Sequence, residues 1–380
     1  MQPTSTWRVV FVLLAGCAAF GVVSATPARA DENTDEVLRR IRSDVTAISV
    51  NTPIWLSRHL PAAMAETGLG GGVTIGDEAG GVTIGLLPVR LSIFNQFSQV
   101  GHGTTLLDFE EKLPGNLPWL QFGASVGVGL SHGVELAVDV EFIPKLDVGY
   151  GNSVRLEATM ISAGLGLRWR VNQAKGAIPA LIIGVGGSYY GGKLALGAGF
   201  KSDYSLTTQT TAGPATIEGT YEFSGAPQAS WKLVQVLPEI RLAWKLGPVH
   251  PYLGFGLGFT WGEVNGGARL TARATVDRVN GQAVDEPDVI YEEFGDVYSA
   301  EPALFLMRPH IGIDFFIGPL AITTQVALAV TNQNKLGGDL GEAAGTFNPG
   351  ADGGFLYNES SKSSSTSAAL VCTLGLALHL

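Results

Sequence analysis

The last fifteen residues, Thr366 to Leu380, constrain the fold more than any other stretch of this chain. Leu370, Cys372, Leu374, Leu376, Leu378 and Leu380 put an apolar side chain at every second position. Val371, Thr373, Gly375, Ala377 and His379 fill the other face with mostly small or polar groups. A period of two marks a strand with one apolar face. It runs to Leu380 with no polar residue after it. A water-soluble sheet rarely leaves such an edge open, whereas a barrel strand whose outer face meets lipid requires this pattern.

The other end of the sequence points to export. Arg8 precedes an apolar run from Val9 to about Ala25, and Ala28-Arg29-Ala30 follows before Asp31. This is the layout of a secretory signal peptide cleaved near Ala30, and the run is short for a membrane helix of ~20 residues. A second reading of the same stretch is a lipidation box at Leu14-Ala15-Gly16-Cys17. Removing residues 1–30 takes away Arg8 and Arg29 and no acid, leaving 22 basic against 34 acidic residues, a formal charge of −12. That balance argues against a nucleic-acid partner. Cys372 is then the sole cysteine, so a disulfide framework is excluded. A closed ladder of backbone hydrogen bonds is the alternative for an exported apolar chain.

Period-two segments recur along the chain. Leu120, Phe122, Ala124, Val126, Val128 and Leu130 share one face, as do Leu136, Val138, Val140 and Phe142 opposite Glu135, Asp139 and Glu141. Similar runs occupy 159–171, 180–190, 232–246, 250–263, 303–317 and 320–331. With a first strand near 81–97 and the terminal one, ten segments result, each about the length of a tilted membrane strand. Strand-like pieces at 193–200, 214–223 and 268–276 raise the expectation to twelve, within a range of ten to fourteen. Connections alternate between tight turns (Ser131–Gly133, Asn172–Ile178, Gly247-Pro248, Gly318-Pro319) and longer stretches, as short periplasmic turns and long outer loops do. Trp169, Trp244, Trp261 and Tyr189 fall where interfacial girdles belong. Pro238 and Pro309 sit inside strands, where a missing N–H suggests a bulge or a misplaced boundary. Residues 31–70 read differently: Val37, Leu38, Ile41, Val45 and Ile48 have helical spacing, so one or two helices are expected, periplasmic or inside the lumen. Residues 71–380 form the barrel domain.

Signal peptide, period-two strands, alternating connections and an apolar terminal strand together resemble bacterial outer-membrane β-barrel proteins, over roughly residues 80–380. Those proteins usually end in Phe, and this chain ends in Leu380. The resemblance implies an all-β, closed antiparallel barrel in a bacterial outer membrane, with lipid, lipopolysaccharide and the barrel-assembly machinery as partners. It transfers no functional residue.

Function is less legible. No H-E-x-x-H, G-x-S-x-G or phosphate-binding loop occurs, and no catalytic residue, metal or cofactor is expected. Glycines face the lumen on four strands, consistent either with close packing or with a cavity. Glu239, Arg241 and Lys245 on one strand, and Arg308, His310 and Asp314 on another, should face inward and meet across a Gly254–Gly258 strip. Such a cluster is a structural charge network or a constriction for a solute. Asp285, Glu286, Asp288, Glu292, Glu293 and Asp296 make an acidic loop, solvated or cation-binding. The expected function is a porin-like channel or facilitated transporter for a small solute. The alternatives are a structural or surface-interaction barrel with a filled lumen and a lipid-modifying barrel enzyme.

Overall fold

The fold is described from a computed structural model over residues 35–41, 60–66, 81–94, 101–104, 109–112, 117–150, 154–210, 213–284, 289–332 and 366–380. The expected cleavage site near Ala30, and Cys17, lie outside these residues. Two short helices come first, α1 (35–41) and α2 (60–66). Sixteen strands follow: β1 Val82–Phe94, β2 Gly101–Thr104, β3 Phe109–Lys112, β4 Leu117–Gly129, β5 Val134–Tyr150, β6 Val154–Arg170, β7 Ala180–Thr210, β8 Gly213–Gly225, β9 Gln228–Ala243, β10 Val249–Thr275, β11 Arg278–Val279, β12 Gln282–Ala283, β13 Val289–Ala300, β14 Ala303–Ile317, β15 Leu320–Asn332 and β16 Thr366–His379.

Ten strands close an antiparallel ring in the order β1, β4, β5, β6, β7, β9, β10, β14, β15, β16 and back to β1. The closing seam pairs Thr83 with His379 and Phe94 with Ala369, so the terminal apolar strand is a wall strand with both edges bonded. Closure removes the free edge that would template aggregation.

The ring therefore holds ten strands and not the favoured twelve, and the strand registers give the reason. The candidate extra strands are real but lie above the ring. The lower part of β7 pairs with β9 up to Ala195↔Gln228, and from Ala198 upward β7 pairs instead with β8. On the other side, β10 pairs with β9 up to Gly267↔Gln228 and with β8 from Leu270 onward. Thus β8 stacks on top of β9 between two very long strands, and the hairpin never returns to the other rim. At the same end β13 pairs with the upper half of β10, while β2 and β3 form a small separate hairpin.

The prolines act differently from expectation. At Pro238 the ladder to β10 skips two pairs and resumes in the same register, while the pairing Val185↔Pro238 on the other side is kept. Pro309 likewise interrupts only the β15 side. The true register shifts lie between Leu86 and Val89 and between Ile143 and Leu146, next to Pro88 and Pro144. A bulge adds one residue to a strand and so reverses which side chains face in. All four tight turns fall at one rim, with left-handed backbone supplied by glycine at Gly247 (φ 63°) and Gly318 (φ 58°).

Candidate functional site: the lumen

The wall alternates cleanly. Ile311 is 63% exposed on the outside, whereas its neighbour His310 is 4% exposed on the inside. Leu165, Leu167 and Trp169 on β6, Phe255, Leu257, Phe259 and Trp261 on β10, and Leu370, Leu374 and Leu378 on β16 are likewise exposed. Soluble monomers seldom expose a contiguous apolar patch above a few hundred Å². A belt running round the whole ring has lipid as its only matching solvent.

Inside, the expected meeting of β9 and β14 across β10 occurs. Gly254 lies opposite both Arg241 and His310, and Gly256 opposite both Glu239 and Arg308. Arg241 Nη2 donates to Glu239 Oε1 at 3.0 Å, and His310 Nε2 lies 3.9 Å from the same oxygen. The Arg241 guanidinium stacks 4.4 Å from the centre of the Tyr252 ring. The His310 ring folds over Gly254, where an added Cβ would strike it. The glycine strip is therefore the floor on which these side chains lie. Arg308 and Asp314 are buried on the same inner face. Lys245 is the exception: β9 ends at Ala243, so the alternation no longer applies at residue 245, which is exposed in the turn.

Sequence reasoning missed the other half of the network. Arg90 Nη1 donates to Glu141 Oε2 at 2.7 Å, and Arg90 Nε to Thr373 Oγ1 at 3.4 Å. The alternation Ile84, Leu86 places Arg90 outside; the bulge next to Pro88 turns it inward. The parity of Glu135, Asp139 and Glu141 was visible in the sequence, and their charge partners were not. In ring order β1 stands opposite β9, and β5 opposite β14, so these charges face one another across the lumen. Arg90, Gln121, Glu141, Arg241, Arg308 and His310 are all buried, so mid-lumen is occupied.

Toward the long-hairpin rim the inner wall becomes apolar. Trp119, Tyr190, Leu194, Trp231, Leu233, Val264 and Leu270 form one cluster that also takes in Val37 and Ile41 of α1 and Leu60, Ala63 and Met64 of α2. Helix α2 is buried at every position from Leu60 to Glu66. Polar contacts fix its C-terminal end: Gln235 Nε2 donates to Ala65 O at 3.0 Å, and Ser367 Oγ donates to Glu66 Oε1. Gln235 is itself held by Tyr190 Oη at 2.8 Å and Thr260 Oγ1 at 3.0 Å. Burial pushes the Glu66 carboxyl up to about 8, because desolvation disfavours its charged form. In α1, hydrogen bonds from Arg39 (2.8 Å) and Arg40 (3.0 Å) hold Glu36 down to about 2 despite partial burial.

Toward the tight-turn rim the inner wall lines a cavity, with Gly127, Gly166, Gly184, Gly186 and Gly375 beside Glu135, Asp139 and Arg168.

The belt, the closed ring and the one-sided tight turns decide the architecture. It is that of an outer-membrane β-barrel. The tight-turn rim with the cavity is then periplasmic, and the rim filled by α1 and α2 is extracellular. Of the acidic segment, Glu292, Glu293 and Asp296 belong to the backbone of β13, opposite Ala272, Thr271 and Ala268 at the extracellular end; Asp285, Glu286 and Asp288 lie outside the described residues.

No protein-family model and no curated protein sequence matches the chain. Among solved structures, the toluene transporter TbuX of Ralstonia pickettii is 8% identical, with 84% of this chain and 97% of that chain covered and a TM-score of 0.26. The CymD monoaromatic hydrocarbon channel is 10% identical, with 84% and 97% covered and a TM-score of 0.24. The outer membrane protease OmpT of Escherichia coli is 6% identical, with 81% and 99% covered and a TM-score of 0.30.

Proposed function

We propose that the protein is a gated outer-membrane passage for a small solute: a barrel closed by its own N-terminal helices, exported with residues 1–30 removed near Ala30. The observation that carries this reading is the division of the lumen. A glycine-walled cavity at the periplasmic rim leads up to a buried charge network, and above that to α2. Gln235 and Ser367 bond the C-terminal end of α2, and Leu60, Ala63 and Met64 sit in the apolar cluster of the wall. Apolar contact is non-directional and lets a helix slide or leave without breaking a hydrogen-bond ladder. A wide-open porin is not supported, because mid-lumen is occupied by Arg90, Glu141, Arg241 and Arg308.

The second reading is a structural or surface-interaction barrel with a permanently filled lumen, favoured by the burial of that same network. Single-channel conductance of the refolded protein in a planar bilayer separates them. The gated reading expects brief discrete openings from the intact chain and long-lived ones after deletion of residues 31–70. A deletion variant that is folded, as shown by heat-modifiable gel mobility, yet electrically silent establishes the filled barrel.

A further inference from the structure

On the outer wall the apolar belt stops short at the extracellular side of one sector. The outward rows there read, from belt to rim, Ile161 then Thr159 on β6, Tyr189 then Gly191 and Lys193 on β7, Val234 then Lys232 and Ser230 on β9, and Trp261 then Glu263 and Asn265 on β10. Registers tie them into one patch: Thr159 lies opposite Lys193, Gly191 opposite Lys232, Lys193 opposite Ser230, and Ser230 opposite Asn265. A groove runs across it, lined by Thr159, Ile161, Gly191, Lys193, Lys232 and Asn265 among others. Gly191 leaves its floor bare, and the Tyr189 ring lies against it.

Lys193 and Lys232 are diagonal neighbours on adjacent strands, a spacing of roughly 7–8 Å between backbones. Their four-carbon stems therefore bring both ammonium groups to one anion. Cations nearby are already matched: Lys145 lies 3.7 Å from Glu157, and Arg155 pairs with Asp147 and Glu157. Among the described residues Lys193 and Lys232 make no ion pair. Glu263, directly across from Lys232, instead accepts from Asn265 Nδ2 at 2.8 Å. The groove thus offers two cations outside any ion pair among the described residues, with Glu263 the carboxylate beside them and hydroxyl and amide donors at Thr159, Ser230 and Asn265. Its lower lip is the exposed apolar surface of Ile161, Tyr189 and Trp261.

We propose that this groove binds the phosphate of an outer-leaflet glycolipid, with the sugar at the polar rim and the first acyl chain on Ile161, Tyr189 and Trp261. The apolar lip commits the site to a lipid: a free phosphate would use the lysines and leave the lip unused. A lysine at an anionic membrane surface is worth roughly a five-fold change in binding, so losing both should cost about 30-fold.

The test uses the full refolded chain in detergent with purified lipid A as probe, and native mass spectrometry to count retained lipid. The expected result is one tightly retained lipid A, weakened about 30-fold in K193Q/K232Q, unchanged in K201Q on the same strand above the patch, and lost with dephosphorylated lipid A. Equal retention by K193Q/K232Q would overturn the proposal. So would displacement by an equimolar amount of inorganic phosphate, which would make the site a simple anion site. Heat-modifiable mobility of every variant guards against misfolding, to which these outward lysines should contribute little.

Discussion

The two halves of the lumen are built from the same ten strands with the same alternation, yet their interiors differ. The extracellular half is lined by large apolar groups such as Trp119, Trp231, Leu233 and Leu270, and it is filled by α1 and α2. The periplasmic half is lined by glycines and ionisable groups, and it holds a cavity. A barrel of this size must fill its interior with something. In the upper half the filling is two short helices on apolar surface. In the lower half it is fixed to the wall, as charges on strands bonded on both sides. On the gated reading proposed above, the closure that moves is at the extracellular end and a charged neck stands at mid-height.

The comparison breaks most sharply at the neck. Replacing Glu141 with Ala removes the partner of Arg90, a pair with both side chains buried. Breaking a buried ion pair from one side costs about 3–5 kcal/mol because the remaining charge has lost its counterpart. The expected outcome is a large drop in the denaturant midpoint of the whole barrel. An unchanged midpoint would mean that the neck is hydrated and carries little of the barrel's stability.

The matching change in the upper half is Met64→Ala. Met64 is fully buried in the apolar cluster, and truncation of such a side chain costs about 2–5 kcal/mol. Here the loss should fall on docking of α2 and not on the barrel. Protease cleavage within residues 31–70 should rise by a hundred-fold or so, since ~2.7 kcal/mol is two decades in an equilibrium constant, while the unfolding midpoint of the strands stays put. A fall in that midpoint instead would show that helix and wall are one cooperative unit, and the gated reading would lose its movable part.

How much of this could be read beforehand follows from the same contrast. Period-two alternation is a local property, so the wall strands, the tight turns and the inward set Glu239, Arg241 and His310 were legible. Their strands carry no bulge between the turn and the charges. Arg90 was hidden because one extra residue near Pro88 reverses parity, and nothing in the sequence states on which residue the reversal occurs. The height of β8 was hidden for another reason: a strand above the membrane has the same alternation as one inside it, and only the handover of partners at Gln228 tells them apart. The seat of α2 depends on a contact between Gln235 and Ala65, separated by 170 positions. No spacing rule reaches that far.

The smallest expected effect, and the one most specific to the upper half, is pH dependence of α2 docking. Docked, Glu66 is held near 8 by burial; undocked, it returns to its ordinary value of 4.5. A group whose docked value is raised binds its proton more tightly when docked. Docking is therefore strongest below 4.5, weakens as pH rises, and levels off above 8, where both states are ionised. In the window between, the linkage slope for one proton is up to about ten-fold per pH unit. Channel open probability, or hydrogen exchange of the α2 amides, should rise across that window for the intact chain. Glu66→Gln keeps the shape and the Ser367 hydrogen bond but has no proton to lose, so its profile should be flat at the docked level. A Glu66→Gln profile that still rises between pH 6.5 and 7.5 would move the pH sensitivity from the helix to the charged neck, and with it the gate.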